Sequence, residues 1–304
     1  MSALIIQSLP SSSVEAARLA ARLGLVMREI DVHHFPDGEL RVTAGPAAPT
    51  TLIYASLDRP NDKLLTILFA AEALRRGGAR RLVLLAPYLC YMRQDAAFTG
   101  GEAISQKVVG RLLADAVDRI ITVDAHLHRT KTIREIFPGI AADNLSAMPA
   151  VADAMRQARL DPRTIIVGPD AESRSWVSDL AHRLALPYVV AEKTRRDDHT
   201  VQLAFADPAV FSGRPALLVD DIVSSGSTIT AGARALAAAG AYPIDVVVTH
   251  ALFPAQLTEK LLHSGIRSIL STYSVPHPSN AIRLDGLLAD ALQSEIDGLP
   301  GRAA

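Results

Sequence analysis

The chain has 304 residues, 49% apolar and 21% charged, with a formal net charge of −1; this is ordinary globular composition and enough length for two medium domains. The near-zero charge excludes a basic footprint for nucleic acid. The single cysteine, Cys90, excludes an internal disulfide framework, argues against a thiolate zinc site, and reads as a small buried apolar side chain.

No run approaches the ~20 apolar residues of a membrane span. The opening MSALIIQSLPSSS lacks the basic head and long apolar core of a secretory signal. A soluble, cytoplasmic protein with no membrane partner is expected.

In chain order, short apolar runs alternate with longer amphipathic ones. TLIYASL (51–57) reads as a strand, DKLLTILFAAEALRRGG (62–78) as a helix stopped by glycine, and RRLVLLAPYL (80–89) as a strand. A helix over 101–117 and a strand over 119–126 follow. The alternation then restarts: helix 147–159, strand 164–170, helix 173–186, strand 188–193. Beyond the polar stretch RRDDHT (195–200), read as an exposed loop, come strand 215–221, helix 227–240 and strand 245–253. Helix 255–265, strand 266–275 and a last helix over about 283–297 complete the chain.

Such alternation predicts an α/β fold with parallel sheets flanked by helices. RLVLLA and ALLVD are near-continuous apolar runs, as strands buried on both faces require. Two sets of about five strands predict two similar domains, 1–146 and 147–304. The repeated element order hints at an internal duplication.

The stretch LLVDDIVSSGST (217–228) joins a predicted strand to a predicted helix. In parallel sheets, ligands bind beyond the carboxyl ends of the strands. A helix N-terminus offers unpaired N–H groups and a partial positive charge to phosphate. Ser224, Ser225, Ser227 and Thr228 add hydroxyl donors, and Gly226 permits an unusual dihedral. Asp220 and Asp221 would repel a phosphate at contact distance, but a carboxylate accepts two hydrogen bonds from a vicinal diol. The composite suits a sugar phosphate, with phosphate in the loop and ribose hydroxyls at the acids.

VDDIVSSGST resembles the phosphoribosyl-binding signature of type I phosphoribosyltransferases and ribose-phosphate pyrophosphokinases. FPDGEL (35–40), YMRQD (91–95), GEAISQKVV (101–109), TVDAHLH (122–128), GPD (168–170), EKTRR (192–196) and THALF (249–253) follow the order and spacing of the pyrophosphokinase family. FPDGE and GEAISQK look closer to its archaeal-type branch. The resemblance spans nearly the whole chain. It implies two type I phosphoribosyltransferase-like domains, an ATP side first and a ribose 5-phosphate side second. The implied reaction is transfer of the β,γ-diphosphoryl group of ATP to the 1-hydroxyl of ribose 5-phosphate, with Mg2+ as cofactor. A homo-oligomer, dimer or multiple of dimers, is implied as well.

The roles implied by the resemblance follow its motifs. Phe35, Asp37, Gly38 and Glu39 match the adenine loop, which in the family usually serves a neighbouring subunit. Arg93 and Gln94 match ATP contacts. Judged alone, FPDGEL is a plain turn, and Arg93 could simply pair with Asp95. His126 and Asp170 match metal contacts; magnesium prefers oxygen, so the histidine role rests on the resemblance. Lys193 and Arg195 match the catalytic pair, Arg195 also contacting ribose 5-phosphate, together with Asp220, Asp221 and residues 224–228.

Several positions depart from the family pattern. Ser224 stands where the bacterial branch carries an acid, and Ser227 replaces a second glycine. DAES (170–173) replaces a small-residue stretch and adds Glu172, and Thr194 stands where a basic residue is common. Three alternatives stay open: a phosphoribosyltransferase, a kinase of a related sugar phosphate, and a non-catalytic paralogue.

Overall fold

A computed structural model of the chain describes residues 3–195 and 201–297, with only the backbone of 193–195 and 201. The chain divides into two units, Met1–Leu145 with Asp285–Ala304, and Ser146–Leu284.

In the first unit, β1 (Leu4–Ser8), α1 (Ser13–Leu23) and β2 (Val26–Glu29) precede an antiparallel hairpin, β3 (Asp31–His34) and β4 (Leu40–Thr43). β5 (Thr50–Tyr54), α2 (Pro60–Arg76), β6 (Arg81–Ala86), α3 (Ser105–Ala116), β7 (Arg119–Val123) and β8 (Ala141–Leu145) follow. The sheet order is β2-β1-β5-β6-β7-β8, and every neighbouring pair is parallel. LIIQS and RLVLLA are buried almost throughout because helices cover both faces of such a sheet. On one face, Leu64, Ile67 and Leu74 of α2 and Leu113 of α3 close over Ile53, Leu82 and Leu84.

In the second unit, α4 (Met148–Gln157), β9 (Ile165–Gly168), α5 (Arg174–Leu184) and β10 (Tyr188–Val190) precede a second antiparallel hairpin, β11 (Glu192–Arg195) and β12 (Val201–Ala204). Next come β13 (Ala216–Val223), α6 (Ser227–Ala238), β14 (Ile244–Ala251), α7 (Gln256–His263), β15 (Ile266–Thr272) and β16 (Asn280–Ile282). The sheet order is β10-β9-β13-β14-β15-β16, again all parallel. Its core sets Ile165, Leu218, Val246 and Val248 against Ile229, Ala233, Leu236 and Leu261 of α6 and α7.

The two sheets share one topology: the second strand of each unit takes the edge, the first lies inside it, and a hairpin is inserted before the third. The duplication legible as element order is therefore a duplication of fold.

Several boundaries differ from expectation. The strand read over 188–193 is two strands in different sheets, because the backbone leaves β10 at Ala191 to enter the hairpin. The helix read from 101 starts at Ser105, and the elements of the first 45 residues, among them the amphipathic α1, were not among those expected. The last helix is two, α8 (Asp285–Ala291) and α9 (Gln293–Asp297), and it groups with the first unit instead of with 147–284. The cause is a buried carboxylate. Glu295 accepts from Arg81 Nε and Nη2 at 2.7 Å each and from Arg119 Nη1 at 2.9 Å, while Arg119 Nη2 also donates to Ala291 O.

Candidate active site

In a doubly wound sheet the carboxyl ends part at the point where strand order reverses, and ligands bind there. In the second unit that point lies between β9 and β13. Beyond β9 stands Asp170; the carboxyl-terminal half of β13 holds Asp220 and Asp221. Each of the two acids is oriented by a local bond: Asp221 N donates to Asp220 Oδ1 at 3.0 Å, and Ile222 N to Asp221 Oδ1 at 2.8 Å.

The chain then turns through Ser224 and Ser225 into α6. Gly226 is the N-cap at φ 75°, a left-handed conformation, and a Cβ there would lie 2.9 Å from Leu257 Cδ2. Both facts select glycine. Gly226 has no side chain to cap α6, the first turn carries no acid, and the opening N–H of Ser227 makes a long bond of 3.5 Å to Ser225 Oγ, so the helix start and its dipole favour an anion. Ser224, Ser225 and Ser227 are exposed, and the Ser225 and Ser227 hydroxyls lie 3.1 Å apart.

Asp170 is extended and accepts from Ser173 N at 3.3 Å, while Ser173 Oγ donates to Asp170 O at 2.5 Å. A Cβ on Gly168 would fall 2.1 Å from Ser173 Oγ. Ser173 is fully buried: the unusual serine of DAES packs under the strand end. Glu172 is exposed.

Lys193 and Arg195 lie on β11, whose register pairs Lys193 with Leu203 and Arg195 with Val201. Their side chains, like the whole of 196–200, which the sequence reading took as an exposed loop, lie outside the described residues. The partner strand β12 packs on α6, the helix whose N-terminus forms the serine loop.

In the first unit, Phe35–Glu39 is the tip of the β3–β4 hairpin. Phe35 N donates to Glu39 O at 2.8 Å, Gly38 N to Phe35 O at 3.0 Å and Glu39 N to Asp37 Oδ1 at 3.1 Å. The turn chemistry of Pro-Asp-Gly is thus real, and Asp37 holds the turn. Phe35 remains exposed, edge-on to His33 with ring centroids 4.7 Å apart.

Arg93 and Gln94 lie in the segment after β6, and His126 in the segment after β7, both at carboxyl ends of the sheet. Arg93 is exposed and does not form the pair with Asp95 that its sequence position suggested; Asp95 binds Arg129 instead. The rings of His126 and His128 stand 3.9 Å apart, edge to face. Among the described residues no three His, Cys, Asp or Glu side chains converge as a metal cage. Asp170 offers an oxygen ligand of the kind magnesium prefers, and His126, in the other unit, offers a nitrogen.

Sequence reasoning passed over Gln106, Glu102 and Arg129. Glu102 accepts from Phe98 N, Thr99 N, Thr99 Oγ1 and Gln94 Nε2. These ties close across loops, and only the acid beside a glycine pair in TGGE hints at them.

Two doubly wound sheets, each with a hairpin beside its switch point, define a phosphoribosyltransferase-like α/β protein, and residues 142–266 match the family model described as phosphoribosyl transferase domain. Residues 4–116 match the N-terminal domain of ribose phosphate pyrophosphokinase. The chain belongs to the ribose-phosphate pyrophosphokinase family. It is 30% identical to ribose-phosphate pyrophosphokinase of Methanopyrus kandleri, over 91% of this chain and 94% of that protein. It is 29% identical to that of Bacillus caldolyticus, over 89% of this chain and 85% of the other. The crystal structure of phosphoribosylpyrophosphate synthetase from Mycobacterium smegmatis superposes with a TM-score of 0.83 at 24% identity, covering 98% of this chain and 100% of that one. No helix among the described residues is long and apolar enough to cross a membrane.

Proposed function

We propose that the protein is a ribose-phosphate diphosphokinase, transferring the β,γ-diphosphoryl group of ATP to O1 of ribose 5-phosphate and releasing AMP. One observation carries the reading: a glycine-opened, acid-free helix N-terminus beside two oriented carboxylates at a switch point, in a chain whose other half matches the N-terminal domain of the pyrophosphokinases.

The 5-phosphate sits on the N–H groups opening α6 and on the hydroxyls of Ser224, Ser225, Ser227 and Thr228. Asp220 and Asp221 accept from the sugar's 2- and 3-hydroxyls, which fixes the ring and aims O1. The adenine is held by Phe35, Asp37, Gly38 and Glu39, and the nucleotide phosphates by Arg93 and Gln94. O1 attacks the β-phosphorus, its proton passes to solvent, and the bond from that phosphorus to the α,β-bridging oxygen breaks, with AMP leaving. Lys193 and Arg195 stabilise charge on the transferring group. His126 and Asp170 would each offer magnesium a contact, and the bound ion would neutralise phosphate charge. A hairpin tip that presents an exposed Phe35 suits service to a second copy, so a homo-oligomer, a dimer or a multiple of dimers, is part of the proposal.

The test is AMP release from ATP. AMP is expected only with ATP, ribose 5-phosphate and Mg2+ together. AMP formed without the sugar, or none with all three, overturns the reading. Base-dependent release of diphosphate without ATP would mark a phosphoribosyltransferase instead. Light scattering after size exclusion measures the assembly.

A further inference from the structure

We infer that Arg129 is a positioning residue of the nucleotide half-site: with Gln106 it ties the loop carrying Arg93 and Gln94 to the loop carrying His126, so that the two loops act as one body. The inference rests on the proposed nucleotide roles of Arg93, Gln94 and His126.

Gln106 is 2% exposed, and its polar atoms join three segments. Its Nε2 donates to Met92 O at 3.2 Å and its backbone N–H to Gln94 O at 3.2 Å. The carbonyls of Met92 and Gln94, the residues on either side of Arg93, are thereby held by one residue at the start of α3. Its Oε1 accepts from Thr130 Oγ1 at 3.0 Å, which reaches the histidine loop.

Arg129 closes the second tie. Asp95 follows Gln94, and its side chain is 1% exposed. It accepts from Arg129 Nη1 at 2.8 Å and from Arg129 N at 3.2 Å. Exposed ion pairs contribute little, but a carboxylate out of water must be compensated. Here the compensation comes from a residue three positions after His126. The Arg129 guanidinium also lies 5.2 Å from the centroid of the exposed Phe98 ring, a cation–π contact. Phe98 N in turn donates to Glu102, which also accepts from Gln94. The ties therefore run from the histidine loop through Arg129 to both ends of 94–98.

A residue that positions the nucleotide contacts and touches neither substrate affects ATP affinity selectively. Four variants test this: Arg129→Ala, Arg129→Lys, Asp95→Asn, and the double Asp95→Asn/Arg129→Ala, which breaks the tie without leaving a buried charge. Arg129→Ala and the double variant are expected to raise KM for ATP about tenfold, with kcat within about threefold and KM for ribose 5-phosphate within about twofold. Arg129→Lys, which keeps a charge but loses the fork, falls between. The double variant should cost less than the sum of its single changes, as coupled residues do. Unchanged KM for ATP in Arg129→Ala overturns the inference. So does a parallel rise in both KM values with a lowered melting temperature, which marks plain destabilisation. Arg93→Ala is the control. If it too leaves KM for ATP unchanged, the nucleotide reading fails; if it raises KM and Arg129→Ala does not, only the tie fails.

Discussion

Gly226 is left-handed and close to Leu257 Cδ2, so Gly226→Ala strains the backbone and pushes the Leu257 side chain aside. Backbone strain of this kind costs about 1–3 kcal/mol. The variant is expected to melt lower and to raise KM for ribose 5-phosphate with little change in KM for ATP, read by thermal unfolding and steady-state kinetics. Lys193→Ala is expected to lose about 10³–10⁵ in turnover, the scale of a missing cation in phosphoryl transfer, with an unaltered circular dichroism spectrum. Near-normal turnover removes Lys193 from the mechanism. Cys90 is buried, and burial pushes its thiol up to about 12. Its thiolate is scarce at neutral pH, so iodoacetamide is expected to label it only after unfolding, as mass spectrometry reports.

Among the elements, α8 and α9 are the pair whose attachment has a titratable lock. Hydrogen bonds from Arg81, then from Arg119, hold the Glu295 carboxyl below the usual carboxylate range. A depressed folded pKa contributes stability that is present above the unfolded value of about 4.3 and is lost as pH falls through the folded one. Glu295→Ala is therefore expected to cost about 3 kcal/mol at pH 7, the scale of breaking a buried pair. In denaturant titrations the gap to the unmodified protein should narrow below about pH 4; a gap unchanged down to pH 3 rejects the lock. The apolar seat adds to it, since Leu288, Leu292 and Ile296 are buried and each contributes about 1.5–3 kcal/mol.

At the scale of the whole molecule, one strand order occurs twice, with a hairpin at the same place in each unit. The hairpin tipped by Phe35–Glu39 in the first unit is the topological counterpart of the hairpin bearing Lys193 and Arg195 in the second. Under the proposed function, one hairpin serves the base and the other the transferred group. The chain's return to the first unit after Leu284 makes that unit discontinuous in sequence. Deleting residues 285–304 is expected to accelerate hydrogen exchange in β6 and β7 while β13 and β14 keep their protection. Equal loss in both sheets would show that the tail supports the molecule as a whole.

How much was legible follows from sequence separation. The buried strands and the turn from β13 into α6 were readable because apolar runs, paired acids and a glycine before a helix act within a few residues. Cys90 as a buried thiol was readable for the same reason, from its apolar neighbours. Strand order, the break at Ala191 and the packing of Ser173 under Gly168 needed the fold. So did the long-range partners of the first unit: Asp95 meets Arg129 across 34 positions, and Glu295 meets Arg81 across 214. Local chemistry was determined by the sequence itself, because propensity, turn geometry and helix ends depend on near neighbours. Which distant charge answers which was decided only by the tertiary structure, because burial creates that need and the sheet topology chooses who can meet it.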